Sequence, residues 1–184
     1  MPELFSYSNS SVLGGAICWA SANSFGGASS NISTDGHTYT SHDEAGALTF
    51  QLTTLVAGNS KFILLHGSLG DNSYFTSSDA ITWASYTFPE ALTLASVAVH
   101  GGGKTVIVDS GAGYCFTTID DGTTWNQSSF PMDKGSSVSL TYSPTSGLYL
   151  WAGDSTYYMT STTGLSWTLH SYPSNVGSGQ VIGK

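Results

Sequence analysis

The sequence predicts an all-β chain, a small β-propeller of about four four-stranded antiparallel blades with essentially no helix. Three observations predict it. An aromatic residue recurs at Tyr39, Trp83, Trp125 and Trp167, in steps of 44, 42 and 42 residues, a spacing in the range of propeller blades. Each interval breaks into short apolar runs separated by Gly-rich turns, and no run carries the 3.6-residue period of a helix. Only 9% of the 184 residues are charged, against roughly 25% in an average soluble domain, while Tyr, Phe and Trp reach 12% and Ser, Thr and Gly abound. Such usage suits sheet surfaces solvated by hydroxyls.

Taken in order, the first repeat (3–46) is the most degenerate. "LFSYSNSSVLGGAICWAS" (4–21) is similar to "SLTYSPTSGLYLWAG" (139–153) and supplies two strands, and "NISTDGHTYTSH" (31–42) supplies two more. The connection between them, "ANSFGGASS", reads as longer than its counterparts "SLGDN", "GAG" and "DS", and an enlarged loop is where a scaffold acquires a contact. The second repeat (50–89) contains "LTTLVAG", "KFILLHG", "SYFTSS" and "TWASYTF". In the third (93–131) the strands are "ASVAVHG" (95–101), "KTVIVDS" (104–110), "YCFTTI" (114–119) and "TWNQSSF" (124–130). The fourth (136–173) has "SVSLTYS", "LYLWAG", "TYYMTST" and "SWTLHSY". Repeats two to four end alike, on Phe88-Pro89, Phe130-Pro131 and Tyr172-Pro173, each proline six residues beyond its tryptophan. The remainder, 174–184, ends in "SGQVIGK" and reads as one more strand, which either closes the first blade or is exchanged with a neighbouring chain. The length suits a single domain, 1–184.

Charge excludes several classes. The basic residues are Lys61, Lys104, Lys134 and Lys184, arginine is absent, and the formal net charge is -8. With no cluster of cations to neutralise phosphates, neither nucleic acid nor an anionic membrane surface is expected as a partner. No run of about 18 apolar residues occurs, so no membrane insertion is expected. The opening "MPELFSYSNSS" has neither the basic start nor the apolar stretch of a secretory signal, so cytoplasmic synthesis without a signal peptide is expected. Cys18 and Cys115 lie in apolar runs of different repeats and read as buried thiols rather than a bridge. Two cysteines and five scattered histidines make no zinc spacing, so no metal or cofactor is expected.

The acidic stretch "TTIDDGTTWNQSSFP" (117–131) raises the question of chemistry. Its residues Thr118, Asp120, Gly122, Thr124 and Trp125 fit the pattern S/T-x-D-x-G-x-T-W, and the array resembles the Asp-box (BNR) repeats of sialidase-like β-propellers. The other copies depart from it. Counting back from the tryptophan, Asp79 falls one place late with Ala80 where glycine is expected. The first copy has Asp35, Gly36, Thr38 and Tyr39, and the fourth has Thr163, Gly164, Ser166 and Trp167 without an aspartate. The resemblance implies that the box lies on the outer turn between the third and fourth strands, away from any active-site face. Elementary chemistry agrees with a structural role, because a short Asp or Thr accepts backbone N–H groups, glycine takes the left-handed position, and the indole packs between blades.

Catalysis finds little support. Sialidases clamp a substrate carboxylate with arginines, which this chain lacks. A glycoside hydrolase built on two of Asp43, Glu44, Asp71, Asp109, Asp133 and Asp154 is the weakest reading, since aspartate is at home in turns. "VHGGG" (99–103) matches an oxyanion motif only as letters and falls where the repeat needs a turn. The sequons at Asn9, Asn31 and Asn126 arise readily in a Ser-rich chain. The expectation is therefore a non-enzymatic protein.

Two binding classes remain. Gly/Ser/Thr/aromatic-rich repeats with few charges resemble bacteriophage virion proteins, which implies a tail fibre, spike or decoration subunit residing on the particle. Its partners would be other virion proteins, further copies of itself, or a host surface glycan or receptor. The alternative is a lectin-like propeller, which would repeat an aromatic and polar pair in every blade; the connections between second and third strands do not repeat. On that rim the candidate contacts are Phe25, Asp71, Asn72 and Asp154, with Phe25 preferred as an aromatic in a glycine-flanked loop.

Overall fold

The computed structural model describes residues 8–13, 16–22, 28–35, 37–43, 52–66, 72–92, 96–131, 139–153 and 157–172. Among them there is no helix, and sixteen strands form four four-stranded antiparallel sheets. Sheet 1 holds β1 (Ser8–Leu13), β2 (Ala16–Ala22), β3 (Ala28–Ser33) and β4 (Thr40–Asp43); sheet 2 holds β5 (Leu52–Ala57), β6 (Phe62–His66), β7 (Ser73–Ser77) and β8 (Ala84–Thr87). Sheet 3 holds β9 (Ser96–Gly101), β10 (Lys104–Asp109), β11 (Tyr114–Thr118) and β12 (Asn126–Ser129); sheet 4 holds β13 (Ser139–Ser143), β14 (Leu148–Ala152), β15 (Tyr157–Ser161) and β16 (Thr168–Ser171). In each sheet, chain order is also spatial order, the meander of a propeller blade. The chain divides into two compact units, Met1–Leu92 with sheets 1 and 2, and Thr93–Lys184 with sheets 3 and 4.

The strands follow from the local chemistry. β6 and β10 are continuous apolar runs because both of their faces are buried, with Phe62, Ile63, Leu64 and Leu65 in one and Val106, Ile107 and Val108 in the other. The outermost strands β8, β12 and β16 are only four residues long, mostly exposed and rich in Ser, Thr, Asn and Gln, so their free edges offer little to a pairing strand. In the first unit Leu55, Phe62, Leu64, Phe75 and Ala80 form a core on which Leu13, Ile32 and Trp83 pack. In the second, Val108, Cys115, Phe130, Trp151 and Met159 do so, joined by Val97, Leu140, Leu165 and Trp167.

Sheets 3 and 4 also meet at their innermost strands. Gly101 on β9 lies under the ring of Tyr142 on β13, where a Cβ would come within 2.2 Å of Cδ1. The Tyr149 hydroxyl donates to the Gly101 carbonyl beside it. Gly102 and Gly103 then turn the chain into β10 with φ of 58° and 74°, so "VHGGG" is a strand end and a hairpin turn.

Strand positions in the second to fourth repeats agree with the sequence reading to within a residue or two. The first repeat differs in one respect. Ala22 pairs with Ala28, and Ser21 with Ser29, so the connection is only residues 23–27, no longer than residues 67–72 between β6 and β7. The expected enlargement is absent because "ANSFGGASS" contributes paired residues at both ends; small Ala and Ser side chains carry no periodic apolar signal, so a paired segment reads as a loop. Residues 4–7 and the tail 174–184 lie outside the described residues.

Candidate functional site

The four polar turns join the third and fourth strand of each sheet, and their bonding is one scheme written in different residues. In sheet 2 the Ser77 hydroxyl donates to Asp79 Oδ1 at 2.9 Å, and that oxygen accepts the N–H of Ile81 at 2.9 Å and of Thr82 at 2.8 Å. Sheet 1 repeats it with Ser33, Asp35, His37 and Thr38 at 2.9, 2.8 and 2.8 Å. In sheet 4 the acceptor is a hydroxyl: Thr163 Oγ1 receives the N–H of Leu165 at 3.2 Å and of Ser166 at 3.1 Å. Sheet 3 closes a longer turn, in which Asp120 Oδ1 accepts the Thr118 hydroxyl at 2.7 Å and the Thr124 N–H at 2.9 Å, and Oδ2 the Thr124 hydroxyl at 2.7 Å. Gly122 N–H is held by Thr118 Oγ1 at 2.9 Å.

This bonding corrects the alignment read from the sequence. Asp79 stands two residues beyond Ser77, as Asp120 stands two beyond Thr118, so the aspartate is in place and the turn is one residue shorter behind it. The register is set by the hydroxyl before the aspartate, not by the tryptophan after it. Ala80 takes the left-handed position with φ of 58°, where sheet 4 uses Gly164 at 80° and sheet 3 uses Asp121 and Gly122 at 54° and 88°. The indole N–H of Trp83 caps the Ala80 carbonyl at 3.2 Å, and that of Trp167 the Gly164 carbonyl at 3.1 Å.

The donors set the electrostatics. N–H groups of Thr38 and then His37, with the Ser33 hydroxyl, hold the Asp35 carboxyl well below the usual carboxylate range. Those of Thr82 and then Ile81 do the same for Asp79. At Asp120 burial pushes upward, but the Thr118 hydroxyl and the Thr124 N–H and hydroxyl outweigh it and the net direction is down. All three are poised as anions that accept bonds from their own turn, the opposite of a general acid.

At the other end of the sheets, Asn72 is the one rim candidate among the described residues; Phe25, Asp71 and Asp154 lie outside them. Asn72 braces its own sheet: its carbonyl accepts the Phe88 N–H at 2.6 Å, and its Nδ2 donates to the Phe88 carbonyl at 2.9 Å. Gly113 does the backbone half of this in sheet 3, accepting the Phe130 N–H at 2.8 Å. Asp109, one of the carboxylates weighed for hydrolysis, is fully buried; it accepts the Ser96 hydroxyl at 3.0 Å and the Ala112 N–H at 2.9 Å, closing the turn after β10. Among the described residues no group of His, Cys, Asp and Glu could hold a metal ion. Burial pushes the His100 imidazole down against the opposing pull of Asp121, and its Nδ1 lies 3.1 Å from the Thr105 hydroxyl. Cys115 carries a free, buried thiol, which burial pushes up and which donates to the carbonyls of Ser128 and Leu165.

Sequence reasoning missed the aromatic faces beside β8 and β16. Tyr74 stacks on Tyr86 at 5.4 Å and packs against Phe88 at 4.4 Å. The corresponding trio in sheet 4 is Tyr158, His170 and Tyr172, with Tyr158 stacked on His170 at 4.8 Å and the Thr160 hydroxyl 2.9 Å from His170 Nε2. The available signal was the aromatic before each proline, which marks one corner of both trios.

No family model matches the chain, and no curated protein matches it. Solved structures of β-propellers do. Virginiamycin B lyase from Staphylococcus aureus superposes with a TM-score of 0.70 at 10% identity, over 94% of this chain and 61% of that one. YCF48 bound to D1 peptide gives 0.59 at 13%, over 89% and 52%. A subtype N10 neuraminidase-like protein of A/little yellow-shouldered bat/Guatemala/060/2010 gives 0.56 at 11%, over 92% and 60%. The fold is thus that of a β-propeller, and the chain spans between about half and three fifths of the length of these neighbours.

Proposed function

We propose that the chain is a non-enzymatic structural and adhesion protein, a bacteriophage virion component such as a tail fibre, spike or decoration subunit, working through protein contacts and contact with the host surface. One observation carries this reading: the aspartates of the three acidic turns are occupied by donors of their own turns, which leaves an exterior of hydroxyls and amides with few charges. The turns are Asp-box elements used as fasteners, eight residues long in sheet 3 and seven in the others. A lyase, a neuraminidase-like protein and a peptide-bound protein share the fold, so the fold itself selects no activity. The absence of arginine removes the carboxylate clamp of a sialidase.

Mass spectrometry of gradient-purified phage particles tests the reading. Chymotrypsin is the suitable protease, because the chain has four lysines and no arginine. Peptides recovered at the stoichiometry of a structural protein are expected; their absence from particles, together with saturable binding on a glycan panel, would replace it with the lectin reading.

A further inference from the structure

Within the second unit, sheet 4 lies on one face of sheet 3. The positions it meets there are Val106 and Val108 on β10, Cys115 and Thr117 on β11, and Phe130, each at most 5% exposed. Trp151 meets Phe130 edge-on at 5.1 Å, Trp167 does so at 5.5 Å, and a Cβ on Gly164 would strike Val106 at 2.5 Å. Strand register carries these positions to Leu150, Ala152, Tyr158, Thr160 and Tyr172 in sheet 4. Their counterparts in sheet 2, Ile63, Leu65, Tyr74, Thr76 and Phe88, are buried like those of sheet 3. In sheet 4 only Ala152 is; Leu150, Tyr158, Thr160 and Tyr172 are half-buried.

We infer that this face of sheet 4 receives the first sheet of a second copy of the chain, continuing the contact that sheet 4 makes with sheet 3. Three features point to that occupant. Among the described residues the face presents Leu, Tyr, Thr and His side chains and no carboxylate or ammonium group, which fits a protein sheet rather than an ionic ligand. Trp19 pairs with Asn31 in sheet 1 as Trp151 pairs with Met159 in sheet 4, so it holds the register position of the ring that meets Phe130, and Tyr172 holds that of Phe130. The chain also spans only about half to three fifths of the length of the three solved propellers compared above. A net charge of -8 on each copy opposes the association, so added salt strengthens it. The inference stands apart from the virion reading, which the particle analysis tests separately.

Photocrosslinking of the intact chain with Tyr172→p-benzoylphenylalanine decides the matter. The expected product has twice the 19.2 kDa chain mass, with the link mapped to the segment that carries Trp19. A link inside one chain, a link to another segment, or no two-chain product would overturn it. Light scattering supplies a second measurement: Tyr172→Glu raises the dissociation constant by at least about tenfold, whereas Ile119→Ser, at a side chain 68% exposed on the turn of sheet 3, leaves it unchanged. Equal loss in both variants would also overturn it.

Discussion

The turns of sheets 2 and 4 are the same length, use the same serine-led frame and close on the same pair of backbone N–H groups, yet one is built on Asp79 and Ala80 and the other on Thr163 and Gly164. The first difference teaches that the anion is dispensable: a hydroxyl accepts both donors at distances longer by about 0.3 Å. The second concerns what each turn is pressed against. Ala80 sits with Leu55, Phe62 and Phe75, which accommodate its methyl, whereas Gly164 lies directly on Val106 and Thr117.

The sharpest way to break this comparison is at the left-handed residue. Gly164→Ala adds both backbone strain and a methyl 2.5 Å from Val106, and should cost about 3 kcal/mol in urea unfolding. Ala80→Gly, which relieves strain and gives up a buried methyl, should change stability by less than about 1 kcal/mol. Equal costs would mean the turns are not equivalent. The acceptor comes next. Asp79→Ala strips two N–H groups of their partner and should cost about 1 kcal/mol, by analogy with a helix cap, while Asp79→Thr, which imports the solution of sheet 4, should cost only a few tenths.

A smaller effect tests the other end. Asn72→Ala removes the side-chain bond to the Phe88 carbonyl and should cost about 0.5–1 kcal/mol, visible as faster hydrogen exchange of the Phe88 amide with the Phe130 amide unaltered. The smallest is pH. Because the folded carboxyls of Asp35, Asp79 and Asp120 titrate below their unfolded values, their contribution is complete above about pH 4 and is lost as pH falls through the folded values. A melting temperature lower by about a few degrees is expected between pH 5 and pH 2.5, and Asp79→Thr should flatten that fall.

How much was legible follows the same lines. Strands β5 to β16 could be read because apolar runs such as "KFILLH" and "KTVIVD" are punctuated by glycine, while the ends of β2 and β3 hid in a run of Ala and Ser. That the aspartates are engaged by hydrogen bonds of their own turns was legible from the residue types, but counting back from the tryptophan misplaces Asp79, because the hydrogen bonds start from Ser77, Thr118 and Ser161. The half-buried state of Tyr158 and Tyr172 could not be read at all: Tyr74 is the same residue type at the same register position, and only what lies against a sheet distinguishes them. The partner is equally invisible, since one fold hosts many surfaces.

The Tyr149 hydroxyl, donating to the carbonyl of Gly101, has a bearing on alkaline conditions. Its seclusion, and after that the neighbouring Tyr142, pushes its ionisation up to about 12, so the proton it donates is retained where an ordinary phenol has surrendered its own. Its contribution is complete up to about pH 10 and lapses only as alkalinity climbs through pH 12. Raised pH should therefore leave this latch between adjoining blades fastened until near the top of the alkaline range.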